Sequence, residues 1–298
     1  MARAAAGVAG APRLPAAAHT TGLAAVLASS VAYSTSGFFT RLIPLDTWTI
    51  LFWRGLFAGV FIAGVILWQH GRRTGAVVRA IGLPGIAAAC CSTLATILYI
   101  NAFRRTSVAD VMIMNATIPF VAAALGWLWL RERERWTTIA ASTVALAGTI
   151  VMVSGAAREG HLTGDLLALG MAVCMAVMML IIRRHRATPM LPAASLSALL
   201  CPLLVWPVAH PAAPSHLDMV YLVLFGTMQF GLGLLLLTLG TRLVSATEAA
   251  LIGALEAPLG PLWVWLAFRE IPSVPTLIGG AIIMAAVTSH LAVSRSRA

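Results

Sequence analysis

Apolar residues dominate this chain in long unbroken stretches, and polar residues collect in the short intervals between them. Ten stretches come close to the roughly 20 residues a helix needs to cross a bilayer. They lie at about 21–41, 47–68, 82–103, 107–130, 136–155, 164–182, 191–209, 218–240, 245–268 and 275–293. Barrel strands would be about half as long and alternate in polarity, so the pattern predicts helices. The expected fold class is an all-α membrane protein of ten transmembrane helices. Residues 1–20, rich in Ala and Pro with Arg3 and Arg13, lack the apolar core of a secretory signal and read as a disordered cytoplasmic tail.

Composition sharpens this picture by exclusion. Of 298 residues, 60% are hydrophobic and 10% charged, whereas a soluble surface needs about a quarter charged. Ten spans leave no room for a soluble domain, which excludes an ordinary cytoplasmic enzyme. All 20 basic residues are arginine, against 10 acidic ones. They sit between apolar runs rather than on one face, so they do not form a nucleic-acid footprint. With a cytoplasmic N-terminus, 14 arginines fall on the inner side and five on the outer. The positive-inside rule then places both termini in the cytoplasm. Cys90, Cys91, Cys174 and Cys201 lie in apolar runs without metal-ligand spacing. No metal, cofactor or nucleic-acid partner is expected, only the lipid bilayer and a small-molecule substrate.

The chain also repeats itself. Thr106-Ser107-Val108-Ala109-Asp110, followed by Pro119, Trp127, Trp129 and Arg131-Glu132, recurs as Val244-Ser245-Ala246-Thr247-Glu248, Pro258, Trp263, Trp265 and Arg269-Glu270. Two five-span repeats follow, 21–155 and 164–293. Because five is odd, the second must enter the membrane from the opposite side. With the prolines in register, Glu256 corresponds to Thr117. Inverted repeats of this kind are typical of secondary transporters that alternate access around a midplane site.

At these residues the chain resembles the ten-span EamA branch of the drug/metabolite transporter superfamily. The resemblance rests on Ser34-Thr35-Ser36-Gly37-Phe38, on Arg54, and on Asn101 to Ala109 leading to Pro119 and Arg131-Glu132. It covers nearly the whole chain beyond residue 20. Within the branch the chain is most similar to the YddG-type exporters of aromatic amino acids, which implies export of amino acids or similar small solutes. Two departures stand out: the seventh span has no counterpart to Arg54, and Arg131 and Arg269 occupy positions where many relatives carry glycine.

Polar side chains within spans are costly and mark candidate function. Glu256 leads, near mid-membrane and two residues before Pro258, as receiver of a substrate ammonium or a coupling proton. Pro119 and Pro258 each remove a backbone donor and mark helix breaks near the cavity. Arg54 is a candidate for holding a substrate carboxylate or a Glu in the outward cavity, with snorkelling to the headgroups as the structural alternative. Tyr33, Tyr99, Asn101, Asn115 and Gln229 supply further groups for a zwitterion, and each serves equally as an interhelical hydrogen bond. Asp110 and Glu248 read as complements to helix N-termini. Met175, Met178 and Met179 read as core or an adaptable wall. Gly148 and Gly279 suit close contact between helices, within the chain or between subunits, so monomer and homodimer both remain open.

Enzyme motifs such as HExxH, GxSxG or a P-loop do not occur. Among transporters, an exporter of amino acids and a broader exporter of drugs, organic cations or other metabolites are the two readings, with or without proton coupling; a channel or structural membrane protein is the rival outside that class.

Overall fold

The computed structural model describes residues 16–103, 105–106, 108–131, 134–154, 162–212, 214–269 and 271–295. Residues 1–15, Glu132 and Glu270 lie outside the described residues, as does the side chain of Asp110. All regular structure among the described residues is helical. Nine segments of the described residues are long and apolar enough to cross a bilayer: Ala18–Leu42, Thr47–Arg79, Gly82–Tyr99, Val111–Leu130, Leu162–Arg184, Leu191–Val208, His216–Thr241, Ala246–Phe268 and Val274–Val293. A shorter apolar helix, Trp136–Met152, supplies the fifth of ten spans. The first helix begins at Ala16, which corrects the tail assignment over 16–20. Ala16, Ala17 and Ala18 continue the helix backwards from the apolar run, because alanine extends a helix at almost no cost. The second span opens on Asp46, whose carboxylate accepts the backbone N–H groups of Trp48 and Thr49 at 3.0 Å. Burial acts to raise its pKa, yet these bonds outweigh it and hold the carboxyl below its ordinary range.

The packing of the spans has two-fold character. The third span packs on the sixth and the first on the eighth; the second packs on the seventh and the fifth on the tenth; the fourth touches the sixth as the ninth touches the first. Exchanging the repeats maps each of these pairs onto another or onto itself. Ten helices in two inverted five-helix repeats are therefore the architecture.

Helix boundaries fix the register of the repeats. In the fourth and ninth spans the half-helices Val108–Ala116 and Ala246–Gly253 start 138 positions apart. Ile118–Leu130 and Glu256–Phe268 start and end at the same spacing. Thr117 thus pairs with Leu255, and Glu256 with Ile118, which corrects the alignment on prolines: the one-residue slip belongs to Pro119 and Pro258, not to the helices. Both helices end on an arginine in the left-handed region, Arg131 at φ 55° and Arg269 at φ 56°. Glycine adopts that conformation without steric cost, which explains physically why glycine suits these two positions.

The fifth and tenth spans meet backbone to backbone. A Cβ at Gly279 would come within 2.3 Å of the Gly148 carbonyl oxygen and 2.4 Å of the Met152 nitrogen. The small residues noted in both spans therefore serve contact within the chain.

Candidate functional site

Three helix breaks converge near mid-membrane. In the first span Ala16–Ser34 gives way to Ser36–Leu42 at Thr35. The Ser34 hydroxyl donates to the Val31 carbonyl at 2.7 Å and the Thr35 hydroxyl to that of Ala32 at 2.7 Å. Side-chain hydroxyls that bond back along the helix compete with its backbone ladder and bend it. Trp263 Nε1 donates to the Ser34 hydroxyl at 2.8 Å and ties this bend to the ninth span. In the fourth span Thr117 makes the same kind of bond, to Met114 at 2.6 Å, and Pro119 cannot donate to residue 115. Pro258 likewise cannot donate to Ala254, and the ninth span breaks between Gly253 and Glu256.

These breaks border a cavity of about 1140 Å³. Its wall includes Ala116 and Ile118 at one break, Ala254 and Glu256 at another, and Ser34 and Ser36 at the third. It reaches Arg41, Leu45 and Thr47 between the first and second spans, Val153 after the fifth, and Ile271 and Pro272 between the ninth and tenth. Since successive connections alternate between faces, all these lie on the face opposite the termini. The cavity opens there.

Of the residues expected to carry function, Glu256, Arg54, Tyr33, Tyr99 and Asn115 share this wall. Glu256 is the first residue of its half-helix and half-buried. Its carboxyl forms no hydrogen bond or ion pair with a described residue. Arg54 rests on an aromatic shelf, with its guanidinium carbon 4.4 Å from the Phe230 ring centre and 5.5 Å from that of Phe225. Such contacts are worth about 1–2 kcal/mol where water is partly excluded. They hold the guanidinium at the cavity instead of at the headgroups. Its Nε is buried without a hydrogen-bond partner, and it forms no ion pair with Glu256. Met175 and Met179 add to the wall, and Met178 and Met179 both belong to the buried core.

Asn101 and Gln229 stand outside the wall. Asn101 Nδ2 donates to the Ile97 carbonyl of its own helix at 2.8 Å. Gln229 is buried in a π-helical segment, Phe225–Gly231, and donates to the Tyr33 carbonyl at 3.2 Å. Pro119 is buried and Pro258 packs beside Gly280; both act on the cavity through the breaks they cause. The shelf under Arg54 escaped sequence reasoning, and a residue spacing of over 170 along the chain left no local signal for it. Glu248 departs from a simple capping role: Ser245 caps the helix, and the carboxylate lies between His19 and His290.

The EamA-like transporter family matches residues 20–154 and again 162–290. The chain belongs to that family. It is accordingly a membrane transporter and not an enzyme, built from two copies of the family's repeat. A protein of known crystal structure superposes on this EamA-like chain with a TM-score of 0.76, at 19% sequence identity, over 93% of this chain and 98% of its own. No curated protein sequence matches the chain.

Proposed function

We propose that this EamA-like transporter exports amino acids with aromatic or other apolar side chains across the bacterial inner membrane, by alternating access. One observation carries the reading: the same cavity holds a carboxyl from the second repeat, Glu256, and an arginine from the first, Arg54, and among the described residues neither forms an ion pair. A zwitterion answers both, its ammonium at Glu256 and its carboxylate at Arg54. Tyr33, Tyr99, Phe225 and Met175 offer an amphipathic wall for its side chain. Asn115 adds an amide beside the fourth-span break. Exchange of the two repeats would carry this site from one face to the other.

The direction of transport rests on orientation. The arginine bias puts the termini in the cytoplasm, so the cavity faces the release side. Single cysteines in a Cys-free background test this: Ala187→Cys, between the sixth and seventh spans, should resist an impermeant maleimide in intact cells, and Ala212→Cys, between the seventh and eighth, should react. The opposite pattern reverses the topology and with it the direction.

Counterflow in proteoliposomes tests the substrate. Aromatic amino acids should exchange, and their decarboxylated amines should exchange about tenfold less because Arg54 loses its partner. Amines or lipophilic cations exchanging as well as amino acids would replace this reading with that of an organic-cation exporter, for which Glu256 in an aromatic cavity suffices.

A further inference from the structure

The second span packs on the π-helical segment Phe225–Gly231 of the eighth, as the seventh packs on the third. The two contacts are built differently. On the side of the seventh and third spans the helix Gly82–Phe103 runs unbroken and Leu191–Val205 contains no charged residue. Small polar groups meet there: Ser197 Oγ donates to Ser92 Oγ at 3.0 Å, and Thr93 Oγ1 to the Ser197 carbonyl at 3.2 Å. On the other side stand Arg54 and a helix that leaves the α-register. In an architecture repeated twice, the arginine and the π-helical segment occur on the same side.

Register explains the pairing. In an α-helix five residues turn through about 500°, which leaves residue i+5 about 140° round from residue i. Hydrogen bonding from i to i+5 brings the two nearly into line. The segment shows that alignment twice. Cβ atoms at Gly226 and Gly231 would lie 3.4 Å from the Ala58 nitrogen and 3.3 Å from its Cα, so both glycines face one residue of the second span. Phe225 and Phe230, each one position earlier, both meet the Arg54 guanidinium, whose carbon lies 5.5 and 4.4 Å from their ring centres. Glycine admits the second-span backbone, and the rings beside it receive the arginine. The first span braces both rings: Phe39 stacks on Phe225 at 5.1 Å and 17°, and the Tyr33 ring lies 6.3 Å from that of Phe230. Gln229 ties the segment to the Tyr33 carbonyl. An α-helical eighth span would turn one of the two rings away from Arg54.

We propose that the π-helical segment Phe225–Gly231 determines specificity for a substrate carboxylate, with Phe225 and Phe230 as positioning residues that seat Arg54 in the cavity and act through it. A ring face holds a guanidinium without taking its N–H groups. Those groups then offer a planar carboxylate the two-bond fork that such an anion accepts. Leucine in place of either ring keeps an apolar contact but loses the attraction of the ring face, and the long arginine side chain then spreads over more rotamers. Carboxylate binding weakens while the rest of the cavity is unchanged. This inference deepens the amino-acid reading and rests on it in taking Arg54 as the group that meets the substrate; the seat itself suits any aryl carboxylate.

The test compares exchange of phenylalanine and of phenethylamine, its decarboxylated amine, in the same proteoliposomes. Their ratio cancels the amount of active protein, so a merely structural defect does not move it. From about ten in the unmutated transporter it should fall to about two in Phe225→Leu and in Phe230→Leu, through slower amino-acid exchange alone. Phe230→Tyr keeps the ring face and should restore it. Deleting Met228, which is 48% exposed and lines no part of the cavity, moves the segment towards the α-register and should lower the ratio with both rings present. Should the deletion or Phe225→Leu fail to fold, Phe230→Leu decides, at a half-buried position. A second measurement needs no transport: hydrocinnamate, a carboxylate without an ammonium, should raise the melting temperature of the purified protein, and Arg54→Gln and Phe230→Leu should each abolish the rise. Where phenylalanine exchanges, a ratio unmoved by the leucine variants overturns the seat and leaves the substrate assignment standing. Where it does not exchange, the assignment falls, and the seat stands or falls with the loss of hydrocinnamate binding in Phe230→Leu.

Discussion

Glu256→Gln is expected to lower transport at least tenfold while the purified protein stays folded and monodisperse. Glutamine keeps the shape of the side chain, and no hydrogen bond from a described residue depends on the carboxylate, so folding loses little. Transport loses the only carboxylate among the described residues of the cavity wall. A tenfold loss corresponds to about 1.4 kcal/mol, a modest fraction of what a desolvated ammonium–carboxylate contact supplies. Two assays divide its roles. Counterflow that survives while pH-driven accumulation disappears identifies Glu256 as the coupling group; loss of both, together with loss of substrate binding, identifies it as the substrate ligand. A variant that transports normally in both assays leaves Glu256 structural and returns the site to Arg54 and the aromatic residues.

Gly279→Ala is expected to destabilise the protein by about 3 kcal/mol, read as a lower melting temperature in detergent. The added methyl would press on the Gly148 oxygen and the Met152 nitrogen at 2.3 and 2.4 Å. Both are backbone atoms of a packed helix and cannot turn aside as a side-chain tip can. Gly64→Ala is the matched control, because nothing lies within 4 Å of its Cβ, and alanine in a helix interior favours folding by up to about 1 kcal/mol. Equal melting of the two variants would mean that the fifth and tenth spans do not pack as described.

Much of the architecture is legible along the chain, and the reason is energetic. Each apolar run repays its own transfer into lipid, and each helix satisfies its own backbone, so span number and position need no knowledge of neighbours. The repeat was visible in Ser245, Asp110, Pro119 and their counterparts because the same local geometry recurs twice. Alignment on the prolines displaces the register by one residue, because Pro119 is the second residue of its half-helix and Pro258 the third of its own. The break at Thr117 could be expected from Pro119; the bend at Thr35 had only a run of hydroxyls to announce it, whose backward bonds appear once the helix is built.

The candidate site divides along the same line. Sequence alone marks Glu256 and Arg54 as costly within a membrane, but Asn101 and Gln229 carry the same mark and prove to bond within the scaffold. The price of a buried polar group can be met by a carbonyl of its own helix, by a partner 196 residues away, or by a ligand, and only the last makes a site. Taken by itself, the sequence determined ten membrane helices, their inverted duplication and the residue types available for chemistry, because those follow from local transfer energies and periodicity. Tertiary structure decided which of those residues share one cavity, that Phe225 and Phe230 hold Arg54 there, and that Glu248 joins His19 to His290. These are contacts between residues up to 229 positions apart, set by how inverted repeats close on one another, a relation that no local pattern of hydrophobic and polar positions encodes.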